Sequence, residues 1–194
     1  MEQTIKLLTY THVFAGIISL IVAPIAMVVE KGGSAHRLWG KVFFWCMTWI
    51  CITAVVMSAY NWNPFLLLIA VFSYYSVFIG YRSLYMKQLH KGKSVRWFDW
   101  VATVLAGLFN VGFFIWGIMS INKDNLTFGI LAAGFGYGGL MQVRSQIKNF
   151  VKPPTDKHQW FYNHIGNMIG GFIASVTAFS ANVLTFMPGI FQWL

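Results

Sequence analysis

The chain has 194 residues, of which 57% are hydrophobic and only 10% charged, whereas a soluble domain carries about 25% charged residues. So few charged side chains exclude a water-soluble globular surface and indicate a protein that faces lipid. The net charge of +9 does not indicate nucleic acid binding, because the basic residues separate apolar runs and do not form a soluble face. The length suits one compact domain, and we expect a single transmembrane domain over residues 1–194.

Six apolar runs follow one another along the chain, each close to the roughly 20 residues with which a helix crosses a bilayer. We predict an all-α integral membrane bundle, because lipid cannot satisfy the hydrogen bonds of an open backbone. The first run is too long for the apolar part of a signal peptide, and we expect it to be retained. The predicted transmembrane helices cover residues 7–29, 36–58, 65–86, 98–121, 126–146 and 162–187.

Two of the connections carry local signals for helix starts. Pro64 stands at the beginning of the third helix, where its missing N–H is harmless. Residues 122–125 form a predicted turn, in which Asp124 or Asn125 caps the fifth helix. Both signals support the division of the chain into separate helices.

The basic residues set the expected orientation, because positive charge concentrates on the cytoplasmic side of a membrane. Only Lys6 and Lys123 belong to the opposite side. We therefore predict that both termini lie outside the cytoplasm. The first, third and fifth connections, on the predicted cytoplasmic side, are flanked by Lys31, Arg37, Lys41, Arg82, Lys87, Lys91, Lys93, Arg96, Arg144, Lys148, Lys152 and Lys157.

Ionisable residues are expected to meet at the cytoplasmic ends of the helices, and such groups inside a membrane indicate function. His36, Asp99 and His164 lie at the starts of the second, fourth and sixth helices, and Arg82 and Arg144 lie near the ends of the third and fifth. Imidazole and carboxylate groups ligate divalent metals, and the two histidines alone could hold a haem. Two alternatives are that these groups cap helices and pair with Arg82 or Arg144, or that they form a proton or substrate site.

Two helices carry stripes of polar and small residues. The first helix has a short stripe around His12, which we expect near the outer face as a hydrogen-bonded packing residue or as part of an outward site. The sixth helix has a longer stripe, which indicates a cavity lining or close helix packing, the latter helped by Gly166 and Gly170 in a G-x-x-x-G spacing. This longer stripe consists of His164, Asn167, Gly171, Ser175, Ala178 and Asn182.

Two groups of short motifs stand near the ends of the chain. The first consists of His12, Gly16, Pro24, Lys31-Gly32-Gly33, His36-Arg37 and Gly40-Lys41-Val42. The second, in the last predicted helix, consists of His164-Ile165, Met168, Ala174 and Thr177-Ala178-Phe179. These motifs resemble the beginning and the closing helix of a group of bacterial membrane proteins that is classed as a domain of unknown function. The resemblance implies a multi-pass protein of the bacterial inner (cytoplasmic) membrane. It adds weight to His12, His36, Arg37 and His164, and it implies no activity.

Three functional hypotheses remain open, and the lipid bilayer is the expected partner in each. In the first, His36 and His164 hold a metal ion or haem and Asp99 assists. In the second, the chain is a small transporter or proton-coupled permease, as a monomer or homodimer, in which His164 or Asp99 carries the proton. In the third, the same residues hold a hydrolytic zinc, although their spacing matches no hydrolase motif. The supporting polar residues are His12, Arg37, Arg82, Arg144, Asn167, Ser175 and Asn182.

Overall fold

A computed structural model of the chain describes residues 2–121 and 126–183. The predicted turn at 122–125, with its caps Asp124 and Asn125, and the predicted end of the last helix at 184–187 lie outside these residues. The described chain is built from α-helices, as predicted, and the connection between the third and fourth holds a short 3-10 turn, Leu89–Lys91. The helices are α1 (Glu2–Val28), α2 (Ser34–Tyr60), α3 (Pro64–Ser83), α4 (Trp97–Ile121), α5 (Leu126–Val151) and α6 (Gln159–Val183).

Four of these helices, α1 to α4, are long and apolar enough to cross a membrane. The chain is therefore a membrane-type protein by the length and composition of its helices. The prediction that α5 and α6 also cross, and that both termini lie outside, stays a prediction.

The chain divides into two compact units. The described part of the first unit contains α1, α2, residues 64–77 of α3 and residues 169–183 of α6. The second unit, Phe78–Met168, contains the end of α3, all of α4 and α5, and the beginning of α6. The expectation of a single transmembrane domain over 1–194 stays a prediction.

In the first unit, α1 and α2 form an antiparallel pair. His12 Nδ1 lies 2.8 Å from Thr53 Oγ1 towards one end of the pair, and His36 Nδ1 lies 2.8 Å from the carbonyl oxygen of Ala26 towards the other. Small side chains let the two helices approach closely. The buried residues of α1 are Ala15, Ser19, Val22 and Ala23.

In the second unit, α4 and α5 pack through residues that recur in alternating steps of three and four. A repeat that averages about 3.5 residues keeps one face of each helix towards its partner, as in a coiled coil. The α4–α5 seam is formed on α4 by Asp99, Thr103, Ala106, Asn110, Phe113 and Gly117. On α5 it is formed by Gly129, Ala132, Gly136, Gly139, Val143 and Gln146.

Glycines hold the α4–α5 seam together, because they leave room for the backbone of the opposite helix. A Cβ atom placed on Gly136 would lie 2.8 Å from the backbone nitrogen of Phe114 and 3.1 Å from the carbonyl oxygen of Asn110. The side chain of Asn110 occupies the space that a Cβ on Gly139 would need. Gly134, two residues before Gly136, has no heavy atom within 4 Å of such a position. Only some of the glycines in this helix are therefore required for packing.

Candidate functional site

Asp99, at the start of α4, is bound by the guanidinium group of Arg82 at the end of α3. The Nε atom of Arg82 lies 2.6 Å from Oδ1 of Asp99, and Nη2 donates to Oδ2 at 3.0 Å. The backbone N–H of Arg96 also donates to Oδ2, at 3.1 Å. The Asp99 side chain is 0% exposed and that of Arg82 is 12% exposed. The two residues form a buried bidentate ion pair, the stronger form of such contacts.

Aromatic rings enclose the charged partner of this pair. The guanidinium carbon of Arg82 lies 4.6 Å from the ring centre of Phe98 and 5.1 Å from that of Tyr85. Both carboxylate oxygens of Asp99 already accept hydrogen bonds, so a metal ion at Asp99 would have to displace Arg82. Of the two arginines proposed from the sequence as partners, Arg82 is the one that binds Asp99.

His36 and His164 have the same hydrogen-bonding pattern, each within its own unit. Nδ1 of His164 lies 2.9 Å from the carbonyl oxygen of Gly80, and Nδ1 of His36 lies 2.8 Å from that of Ala26. A carbonyl oxygen only accepts, so Nδ1 is the nitrogen that carries the proton. In a neutral ring the lone pair then lies on Nε2.

His12 is oriented in a similar way by a hydroxyl group. The hydroxyl of Thr53 donates to the carbonyl oxygen of Trp49 at 2.8 Å and is therefore free to accept the proton on Nδ1 of His12, 2.8 Å away. Thr53 is fully buried between α1 and α2. Of the two alternatives for His12, this contact supports the hydrogen-bonded packing residue.

No three His, Cys, Asp or Glu side chains are grouped so that they could hold a metal ion within residues 2–121 and 126–183. His36 belongs to the first unit, whereas Asp99 and His164 belong to the second. The predicted metal or haem site of His36, His164 and Asp99 therefore stays a prediction.

The stripe on α6 proves to be partly a packing feature. Ser175 Oγ donates to the carbonyl oxygen of Gly171 at 2.9 Å and lies 3.3 Å from Met47 Sδ. A Cβ on Gly171 would collide with Val77 of α3, whereas Gly166 and Gly170 have open space around them. Within the described chain, the glycine of α6 in close contact with a neighbouring helix is Gly171, and Gly166 and Gly170 make no such contact.

Three other predicted residues are on exposed surfaces. Asn182 is exposed, and its side-chain nitrogen donates to the carbonyl oxygen of Ala178 at 2.7 Å. Arg37 on α2 and Arg144 on α5 are exposed as well. These positions suit contact with lipid headgroups or water.

A row of amide side chains joins α5 to α6, and Asn167 is its one member among the residues predicted from the sequence. Gln142 Nε2 donates to Asn167 Oδ1 at 2.6 Å, and Asn167 Nδ2 donates to the carbonyl oxygen of Asn163 at 2.7 Å. Gln159 Nε2 then donates to Asn163 Oδ1 at 3.0 Å. The signal was present in the spacing, because steps of three and four place such residues on one helix face. The amide seam comprises Gln142, Gln146, Asn149, Gln159, Asn163 and Asn167.

One end of the amide seam opens into a narrow cleft, to which Gln146, Asn149, Gln159 and Asn163 contribute. The cleft has room for about one water molecule at most. Other lining residues come from the connections before α4 and α6, among them Lys87, His90, Lys157 and Trp160. The amide seam therefore runs from this cleft to Gln142, a half-buried residue on α5.

Comparison with known proteins adds no assignment, because the chain matches no protein-family model, no curated protein and no solved structure. The resemblance to a family of bacterial membrane proteins accordingly stays a prediction. The functional proposals below therefore rest on the hydrogen bonds and distances among the described residues.

Proposed function

We propose that the chain spans the inner membrane of a bacterium six times, with both termini outside the cytoplasm. The four apolar helices and the distribution of basic residues support this proposal. In this arrangement the amide seam begins at the cytoplasmic surface, because its cleft is lined by Lys87 and Lys157 from the basic connections.

Within this membrane protein, we propose a small permease in which the amide seam forms the path for a small, uncharged polar solute. The single observation that carries the proposal is the hydrogen-bonded series from Gln159 through Asn163 and Asn167 to Gln142. Amide groups offer donors and acceptors without a fixed charge, so they can replace the water around a neutral polar molecule. Polar side chains inside membrane helices also serve as interhelical contacts, and a transport measurement separates the two roles.

His164 is the better of the two predicted proton carriers. Asp99 is the carboxylate of a buried pair whose charges balance, and taking up a proton would leave Arg82 without its counter-charge. Histidine changes its charge near neutral pH, and His164 lies three residues before Asn167 of the amide seam, a spacing that places the two on one side of α6. We therefore propose that proton coupling, where it occurs, runs through His164.

Replacement of Asn167 or Gln142 by leucine is expected to lower solute flux about tenfold, because each change removes a hydrogen-bonding group worth about 1–1.5 kcal/mol to a passing solute. The measurement is stopped-flow light scattering of proteoliposomes, with urea and glycerol as the solutes and an internal pH-sensitive dye for protons. His164→Gln is expected to remove the pH dependence of flux while solute movement continues.

Ile169→Leu is the matched control, since Ile169 is an exposed apolar residue on the same helix as Asn167. Each variant is first compared with the wild type by size-exclusion profile and thermal unfolding. Folded leucine variants that carry urea and glycerol as fast as the wild type would show that the amide seam is only a packing contact.

A second candidate function is metal or haem binding by His36 or His164. The supporting observation is that a backbone carbonyl fixes Nδ1 in each ring, which is the arrangement usual for a histidine that binds a metal through Nε2. The hydrolytic zinc hypothesis is not carried forward, because it needs Asp99 as a ligand and Arg82 occupies that carboxylate.

Purified wild-type protein is expected, under this second candidate, to show either a Soret band or one equivalent of a transition metal. His36→Ala and His164→Ala are expected to lose that signal, whereas His90→Ala, in the connection before α4, is the control that keeps it. A flat visible spectrum together with substoichiometric metal would remove this candidate and leave the permease proposal untouched.

A further inference from the structure

The cleft at the end of the amide seam is too narrow for the solutes of the proposed permease. It has room for about one water molecule at most, whereas urea and glycerol are several times larger than water. Members of the amide seam line this cleft, so a solute that follows the amide groups has to pass it. Transport through the amide seam therefore requires the cleft to widen.

The side chains around the cleft differ in how freely they can move. Ser83, Leu89 and Gln146 are buried, with 1%, 7% and 3% of their surfaces exposed, so their displacement would disrupt close-packed helices. Trp160, in the first turn of α6, is half-buried and has the largest side chain among the lining residues. Rotation of its indole group would change the width of the cleft without moving a helix.

A cation–π contact holds the indole group of Trp160 in place. Lys87 Nζ lies 4.6 Å from the centre of the Trp160 ring. Lys87 belongs to the connection between α3 and α4, whereas Trp160 belongs to α6, so the contact joins two segments that border the cleft. At an exposed site such a contact favours the joined arrangement about two- to fivefold. It is strong enough to hold the ring mainly in one position and weak enough to break during transport.

We propose that Lys87 and Trp160 form a gate that closes this end of the amide seam. The gate rests on the permease function of the amide seam, and it supplies the step that a closed cleft requires. With the contact formed, the indole group keeps solutes away from the buried amide of Gln146. When Lys87 releases the ring, the indole group rotates away, and Gln146 and Asn163 become the first amide groups that an entering solute meets. Motions that admit or release a ligand often set the overall rate of such a site.

The first measurement follows access to the cleft and does not depend on transport. Ser83→Cys places a thiol among the lining residues, in a full chain whose free Cys46 and Cys51 are replaced by alanine. The rate of labelling by a charged, water-soluble maleimide is measured in detergent by mass spectrometry. Lys87→Gln is expected to raise this rate about two- to fivefold, the effect of losing one exposed cation–π contact. Trp160→Ala is expected to raise it further, because no ring remains to narrow the cleft.

The second measurement is the flux of urea and glycerol into proteoliposomes, in which the two gate variants are expected to show the same order. Lys152→Gln and Trp97→Ala are the matched controls, because both residues are exposed and neither lines the cleft. These controls are expected to leave labelling and flux unchanged. All variants are first compared with the wild type by size-exclusion profile and thermal unfolding, and Lys87→Gln alone decides the result if Trp160→Ala does not fold.

The gate and the permease can fail separately in these measurements. Labelling that is unchanged in the gate variants would overturn the gate, whatever the flux. A loss of flux in Asn167→Leu without a gain in either gate variant would also overturn the gate, and it would leave the permease proposal in place. Faster labelling of the gate variants, with flux unchanged in them and in Asn167→Leu, would support closure of the cleft by Trp160 and overturn the permease.

Discussion

Replacement of Asp99 by leucine is expected to destabilise the protein by about 3–5 kcal/mol, because it leaves a buried guanidinium group without its counter-charge. Arg82 is only 12% exposed and lies between two aromatic rings, so it cannot reach water without breaking its packing. The change also removes the acceptor for the backbone N–H of Arg96. The measurement is reversible unfolding in mixed micelles with an increasing fraction of a denaturing detergent, followed by tryptophan fluorescence.

Two further variants show whether the loss comes from the buried charge. A double variant, Asp99→Leu with Arg82→Leu, is expected to recover most of the stability, since apolar replacement of a whole buried pair is often neutral. Glu2 and Lys6 form an exposed pair at 2.7 Å on α1, with side chains 78% and 64% exposed. Glu2→Gln is expected to change stability by less than about 0.5 kcal/mol. A double variant as unstable as Asp99→Leu alone would contradict the argument.

Gly136→Ala is expected to destabilise the protein by about 3 kcal/mol, at the upper end of what one added methyl group costs in a packed interior. The new Cβ would lie 2.8 Å from the backbone nitrogen of Phe114 and 2.9 Å from its Cα. Backbone atoms cannot rotate away as a side chain can, so α4 and α5 would have to separate. The same detergent titration measures the loss of stability, and excimer formation between pyrenes attached to the two helices reports their separation.

Gly134→Ala is the control for this prediction, because it adds the same methyl group to the same helix. Gly134 is exposed and has no heavy atom within 4 Å of the new position. Alanine is the better helix former by about 1 kcal/mol, so this variant is expected to be neutral or slightly more stable. Equal destabilisation by both alanine variants would mean that glycine flexibility, and not close approach of the backbones, accounts for the effect.

The helices were largely predictable from the sequence, and the main errors are at their polar ends. The fourth helix was expected over 98–121 and is observed over Trp97–Ile121, since an apolar run marks it throughout. The fifth was expected to end at residue 146, yet α5 continues to Val151. The prediction placed Lys148 in the following loop, but lysine is a good helix former. Hydropathy detects the part of a helix that faces lipid and gives no signal for the turns beyond it.

The sequence predicted the height of the candidate residues along their helices, but it did not predict their direction around them. Position along a helix converts to height, at about 1.5 Å per residue, and both Arg82 and Arg144 had a suitable height to bind Asp99. Which arginine points to the aspartate depends on helix rotation and neighbours, which one sequence does not reveal. Asn163 and Gln142 were missed for the same reason, because an uncharged amide indicates a site only when its partner is known.

The contact between Asn110 and Gly139 also determines how α4 and α5 align. If α4 slid by one heptad along its partner, the Asn110 amide would meet Ala132 or Gln146, and both positions carry buried side chains. Of these three positions on α5, Gly139 is the one that leaves space for the Asn110 side chain. The alignment is thus encoded in the helix faces themselves, so the hairpin can tolerate changes in the length of its connecting segment. Evolution or design could lengthen that segment, or exchange it for another, without resetting the register of the pair.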